Sequence, residues 1–169
     1  MKTNRAVAAT LILMLFFTIL LTACGGTKPE DVIEMYSSSS ELTDSQNRLG
    51  IDMSGIAKVF SQQTVHVTFS NTMAFAGDNI NLLAQRFTAY NAENIEEKIE
   101  LTYIANSSGI VLALPEDIQC AYVLVIFLGI PEDEVESIST PTCGFLVQLD
   151  KKGTEKLAGP LLFEEAADS

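Results

Sequence analysis

The chain has 169 residues, 47% of them hydrophobic, with 22 acidic against 10 basic side chains and a net charge of −12. This length allows a targeting segment and one domain with a real core, while the acidic balance excludes the basic footprint that nucleic-acid binding requires. One histidine and no tryptophan leave the chain poor in zinc ligands and in a residue favoured at tight interfaces.

The first stretch of the chain is an address. Lys2 and Arg5 form a basic tip, an apolar run follows from Ala6 to Leu20, and Leu21-Thr22-Ala23-Cys24 ends it, with Gly25 and Gly26 behind. A basic tip, an apolar run and small residues before a cut make a secretory signal. Leu-Thr-Ala-Cys resembles the lipobox of bacterial lipoprotein precursors, and the resemblance covers the first 24 residues only. It implies that Leu21, Thr22 and Ala23 form the recognition box and that the Cys24 thiol receives a diacylglyceryl group. The peptide is then cut before Cys24, and the new amino terminus is usually acylated. It further implies an extracytoplasmic protein whose membrane partner is reached through the lipid on Cys24, at the cell membrane or the outer membrane. Gly25 is not the Asp that marks inner-membrane retention, so a two-membrane host would send it to the outer membrane. The competing reading is an uncleaved helix over Ala6–Ala23. It sits at the short edge of the ~20 residues a span needs and lacks a basic flank, Lys28 apart.

Residues 1–23 are thus read as a signal peptide, 24–41 as the lipidated cysteine with a tether, 42–163 as a single domain and 164–169 as a flexible acidic tail. Within the tether, Pro29-Glu30-Asp31 suits a helix start, because proline fits the first turn and early carboxylates suit the positive end of the dipole. Val32, Ile33 and Tyr36 would share a face, and Ser37 to Ser40 would end that helix. Residues 42–63 stay open between strand (Leu49, Ile51, Met53) and helix (Ile56, Val59, Phe60).

Thr64 to Ser70 alternates as a strand, with Val65, Val67 and Phe69 on one side. Asp78 caps a predicted helix to about Tyr90, whose stripe is Ile80, Leu83, Ala84 and Phe87. Residues 93–104 stay open between a helix, with Glu93, Glu96, Glu97 and Glu100 on one face, and a strand; a hairpin of strands at 97–105 and 110–114 about Asn106-Ser107-Ser108-Gly109 accounts for both runs and the turn and is favoured. Cys120 to Leu128, apolar throughout except for the Tyr122 hydroxyl, reads as a strand buried on both faces at the centre of the sheet, one face being covered by the helix with Leu83 and Phe87. Cys143 to Asp150 alternates again, and Leu157 to Phe163 is an edge strand, the place where Pro160 is tolerated. The expected fold is α+β: a mostly antiparallel sheet of five or six strands with one main helix packed on one face.

No motif for catalysis, phosphate or cofactor binding is present, and no cofactor is expected. His66, mid-strand on the polar side, is a poor candidate for a base without a partner. Glu132, Asp133, Glu134 and Glu136 lack the alternating spacing and glycine of a calcium loop, so a solvated acidic turn is expected and no metal site. Cys120 and Cys143 carry three readings. They pair as a disulfide, which suits the compartment; they stay buried and free; or Cys143 is a catalytic thiol beside His66. The disulfide requires the 120–128 and 143–150 strands to be parallel neighbours. The functional expectation is a non-catalytic, lipid-anchored envelope protein presenting an acidic domain to an unknown protein or small-molecule partner. The alternative is an extracytoplasmic enzyme using Cys143 with His66 or a carboxylate.

Overall fold

Period-two alternation, not helical periodicity, governs most of this chain. The computed structural model describes residues 27–59, 62–150 and 152–163. The stretch read as signal and lipobox, with Leu21, Thr22, Ala23 and Cys24, and the stretch read as a tail, 164–169, lie outside the described residues. The described strands, in chain order, are β1 (Ile51–Val59), β2 (Gln62–Phe69), β3 (Phe87–Asn91), β4 (Asn94–Ile99), β5 (Thr102–Asn106), β6 (Gly109–Ala113), β7 (Tyr122–Phe127), β8 (Cys143–Leu149) and β9 (Thr154–Leu162). Two short helices accompany them, α1 (Pro29–Met35) and α2 (Asn79–Ala84).

The protein is mostly β, with two antiparallel sheets. Sheet one has four strands in the order β1-β2-β6-β5, and sheet two has five in the order β4-β3-β7-β8-β9. The antiparallel expectation holds. The single sheet of five or six strands does not, and neither does the single covering helix. The physical reason is burial. Val65, Val67, Ile110 and Leu112 of sheet one and Val123, Val125, Phe127, Phe145 and Val147 of sheet two are all 0% exposed and share one core. Two sheets packed face to face supply the cover that one helix of six residues cannot.

β7 lies third of five, at the centre of sheet two, as its apolar run predicts. Its Val123, Val125 and Phe127 enter the main core. Tyr122 and Leu124 point the other way, into a second cluster with Val32, Ala92 and Leu146. That second face is covered by α1, not by the helix of Leu83. The segment read as a tether therefore lies against the domain from Thr27 onward. Val32 is 0% exposed, the Tyr36 hydroxyl donates to the Ala92 carbonyl at 2.8 Å, and the Tyr122 hydroxyl donates to the Thr27 carbonyl at 2.8 Å. The chain then runs along β9, where Glu41 bridges Leu161 and the Leu42 N–H donates to the Pro160 carbonyl at 3.0 Å.

Two further differences have local causes. The helix predicted over 78–90 stops at Ala84, and Phe87 to Asn91 is β3, paired with β7 from Phe87↔Phe127 to Asn91↔Val123. Phe87, Thr88 and Tyr90 are β-formers, and pairing buries Ala89 completely, so tertiary contact overrides a helical pattern that ran on by one turn. The strand predicted over 97–105 is two strands in different sheets, β4 and β5, and the chain crosses between sheets at Glu100–Leu101. The hairpin itself is as predicted, with Asn106 opposite Gly109.

The edges β1 and β9 meet and close one side of the sandwich. Lys156 Nζ of β9 meets Asp52 Oδ1 of β1 at 2.6 Å, and the Thr154 hydroxyl reaches past β1 to donate to the Thr64 carbonyl of β2 at 2.6 Å. A Cβ on Gly55 would lie 1.8 Å from the Thr154 carbonyl oxygen, so this approach requires glycine there. Partial burial raises the Asp52 pKa. The hydrogen bonds from Lys156 and the Met53 amide, with the Lys156 charge, outweigh it and hold the carboxyl below its usual value.

Val125 and its neighbour Ile126 test the two faces of β7. Val125→Asp places an unpaired carboxylate in the main core and is expected to abolish folding, a loss exceeding ~4 kcal/mol. Ile126 is only half-buried on the outer face, so Ile126→Asp should cost clearly less and leave a cooperative transition. Urea unfolding of both variants checks the order; equal losses would contradict the assigned faces.

Candidate functional site

β7 and β8 are antiparallel, with Cys143 opposite Phe127 and Tyr122 opposite Gln148. Cys120, just before β7, is therefore at the other end of the pair, about 20 Å of strand away, where a disulfide needs Cα atoms within about 7 Å. Both cysteines are free, and the predicted bond between Cys120 and Cys143 is not formed. The connection of residues 129–142 is long enough for a crossover but returns as an antiparallel loop, held by Ile130 paired with Thr140.

Cys143 is 0% exposed, and burial pushes its thiol up to about 12. Such a thiol stays protonated and unreactive. Burial also raises Cys120, opposed by a backbone hydrogen bond and reinforced by the charges of Glu97 and Glu93. His66 does not reach Cys143. Its neighbours Val65 and Val67 enter the core with Cys143, so alternation sends His66 to the outer face of sheet one, in a cross-strand row with Ser54, Val111 and Ile104. Its Nε2 is buried against Gly109, where a Cβ would come within 3.1 Å, and has no hydrogen-bond partner among the described residues. The pair on which the thiol-enzyme alternative rested is not assembled.

The acidic segment after β7 is engaged rather than free. Arg48 Nη1 donates to Glu132 Oε1 at 3.0 Å and to the Glu136 carbonyl at 3.2 Å. Arg86 donates to Glu134 and, at 2.8 Å, to the Gly129 carbonyl. Two arginines from distant segments thus fasten this turn to the body. Among the described residues no three His, Cys, Asp or Glu side chains converge as a metal would need.

The cleft that the sequence did not announce lies on the side opposite the β1–β9 seam. There β4 and β5 are each the last strand of a sheet, and the chain steps between them. An open cavity of about 400 Å³ is lined by Phe87, Thr88, Lys98, Ile99, Glu100 and Leu101. Phe87 stacks obliquely on Phe127, with ring centroids 5.2 Å apart, and anchors the floor in the core. Lys98 and Glu100 bring one charge of each sign. Thr88 Oγ1 is buried with no hydrogen-bond partner among the described residues. An apolar floor and a rim with one charge of each sign are groups a small ligand or side chain could meet, and Thr88 Oγ1 lies beneath them, closed off from solvent. No single residue signals this cleft, because it arises where one run of alternation divides between two sheets.

No protein-family model, curated protein or solved structure matches the chain. Among the described residues no helix is long and apolar enough to cross a membrane.

Thiol labelling of the mature protein near pH 8 should leave Cys143 silent in the native state and expose two reactive thiols, Cys120 and Cys143, in unreduced denaturant. Finding no reactive thiol in denaturant would restore the disulfide. Thr88→Val removes an unsatisfied buried hydroxyl while keeping the branched shape, so it should raise stability by about 1 kcal/mol in the ligand-free protein. A loss of stability would show that Oγ1 is already satisfied.

Proposed function

We propose that this protein is a bacterial lipoprotein, anchored outside the cytoplasm through lipid on Cys24, whose β-sandwich binds a partner and performs no catalysis. The observation that carries the reading is the order of basic tip, apolar run and Leu21-Thr22-Ala23-Cys24 box. Two acyl chains suffice for stable anchoring where one does not, at ~0.8 kcal/mol per buried CH₂. The binding half of the reading is supported by a cleft of mixed character and by a Cys143 thiol that burial keeps protonated. The net charge of −12 favours a neutral or basic partner over an anionic one, and its long-range attraction would be screened beyond about 8 Å at physiological salt.

Cys24→Ala is the direct test. The variant should accumulate as uncleaved precursor without the mass of the acyl chains, as intact-mass measurement of the membrane fraction would show. Normal processing and an unchanged mass shift would end the lipoprotein reading.

A further inference from the structure

The anchor point and the folded body are closer together than a stalk would make them. Cys24 is three residues before Thr27, and three peptide steps span at most about 11 Å in any conformation. Thr27 is fixed at one end of sheet two. Its carbonyl accepts from the Tyr122 hydroxyl at 2.8 Å, and its own hydroxyl donates to Glu93 in the turn between β3 and β4. Beyond it, Val32 is 0% exposed against Tyr122, Leu124 and Leu146, so α1 extends the attachment along the outer face of the sheet.

We propose that the domain has a membrane-facing end, formed by Thr27, the β3–β4 turn and the first residues of β4, which rests at the headgroup level of the bilayer holding the Cys24 lipid. The proposal depends on the lipoprotein reading of Cys24 and adds an orientation to it. A long free tether would leave the body no preferred attitude, whereas a docked one sets it by geometry. Ile95, 54% exposed at the start of β4, gives this end an apolar contact. Glu30, Asp31, Glu93, Glu96 and Glu97 surround it, so a neutral headgroup suits it better than an anionic one. β7 runs away from this end, from Tyr122 to Phe127, over roughly 17 Å. The turn of Glu132 to Glu136 lies beyond its far end. Phe87 stands opposite Phe127 at that same far end, so the cleft is presented away from the membrane.

The test uses the mature lipidated protein in phosphatidylcholine vesicles that carry a nitroxide on a fraction of their headgroups. A fluorophore is placed at Asn94→Cys or at Asp133→Cys in a Cys120→Ser background, with the buried Cys143 left in place. Asn94 should be quenched several-fold more strongly than Asp133. Equal quenching at the two sites, or none at Asn94 in protein that floats with the vesicles, would overturn the orientation while leaving the anchor intact. Protein that does not float at all would instead refute the lipid on Cys24, and the orientation would fall with it. Two variants separate docking from chance. Val32→Asp should undock α1, and roughly fifteen Gly/Ser residues inserted after Gly26 should lengthen the tether without touching the fold. Each should abolish the contrast between the sites while flotation persists. An unchanged contrast in the lengthened chain would show that the short tether does not set the attitude.

Discussion

β7 must be dry along its whole inner face and over Tyr122 and Leu124 on its outer face, and the rest of the structure follows from that requirement. Tyr122, Val123, Leu124, Val125 and Phe127 are all at most 3% exposed, a run that no single layer can cover. The inner face is met by sheet one, whose Val65, Val67, Ile110 and Leu112 are equally buried. The outer face is met by α1, which contributes only one fully buried residue, Val32, but at the place where Tyr122, Leu124 and Leu146 would otherwise meet water. A seven-residue helix is not stable alone. It exists here because the sheet needs its cover and because Pro29, Glu30 and Asp31 make its start inexpensive.

The two sides of the sandwich treat their edges differently. On one side β1 and β9 approach so closely that Gly55 is obligatory, and residues 40–42 take up two further hydrogen bonds of β9, at the Pro160 carbonyl and the Leu162 N–H. On the other side β4 and β5 end their sheets without each other. β4 protects itself with charge, since Glu96, Glu97 and Lys98 are all exposed and discourage pairing with another strand. The cleft occurs on this second side because only there do the sheets part. Its mixed lining is the product of that geometry: Phe87, Ile99 and Leu101 belong to the core that stops short, and Lys98 and Glu100 to the edge that faces water.

Legibility in the sequence tracked how local the determining interaction was. β2, β7, β8 and the Asn106–Gly109 hairpin were readable, since alternation and turn chemistry act within a few residues. Phe87 to Asn91 was not, because a helical stripe through Ile80, Leu83 and Ala84 runs smoothly into it and only pairing with β7 decides for strand. The division of 97–105 was equally hidden. Ile99 and Leu101 keep their period while the chain changes sheets. Val32 was seen on an apolar face, but its partner face is assembled from Ala92, Tyr122, Leu124 and Leu146, which no spacing connects. The cleft inherits this invisibility, being made at a crossover. The box proposed at Leu21 to Cys24 is the opposite case, since a pattern of that kind is linear and is proposed from sequence alone.

The free thiols, in a domain proposed to lie outside the cytoplasm, fit the same physics. Disulfides are indispensable where a small core cannot hold the chain, and this core is not small: it joins both sheets in one cluster from Leu49 to Val147. Nor does an oxidising compartment force oxidation. With its pKa at about 12, Cys143 offers a thiolate fraction on the order of 10⁻⁵ at neutral pH, and exchange proceeds only through the thiolate. The antiparallel pairing that holds Cys120 and Cys143 apart thus also removes any need to protect them, because each lacks a partner within reach and the more buried one lacks the reactive form.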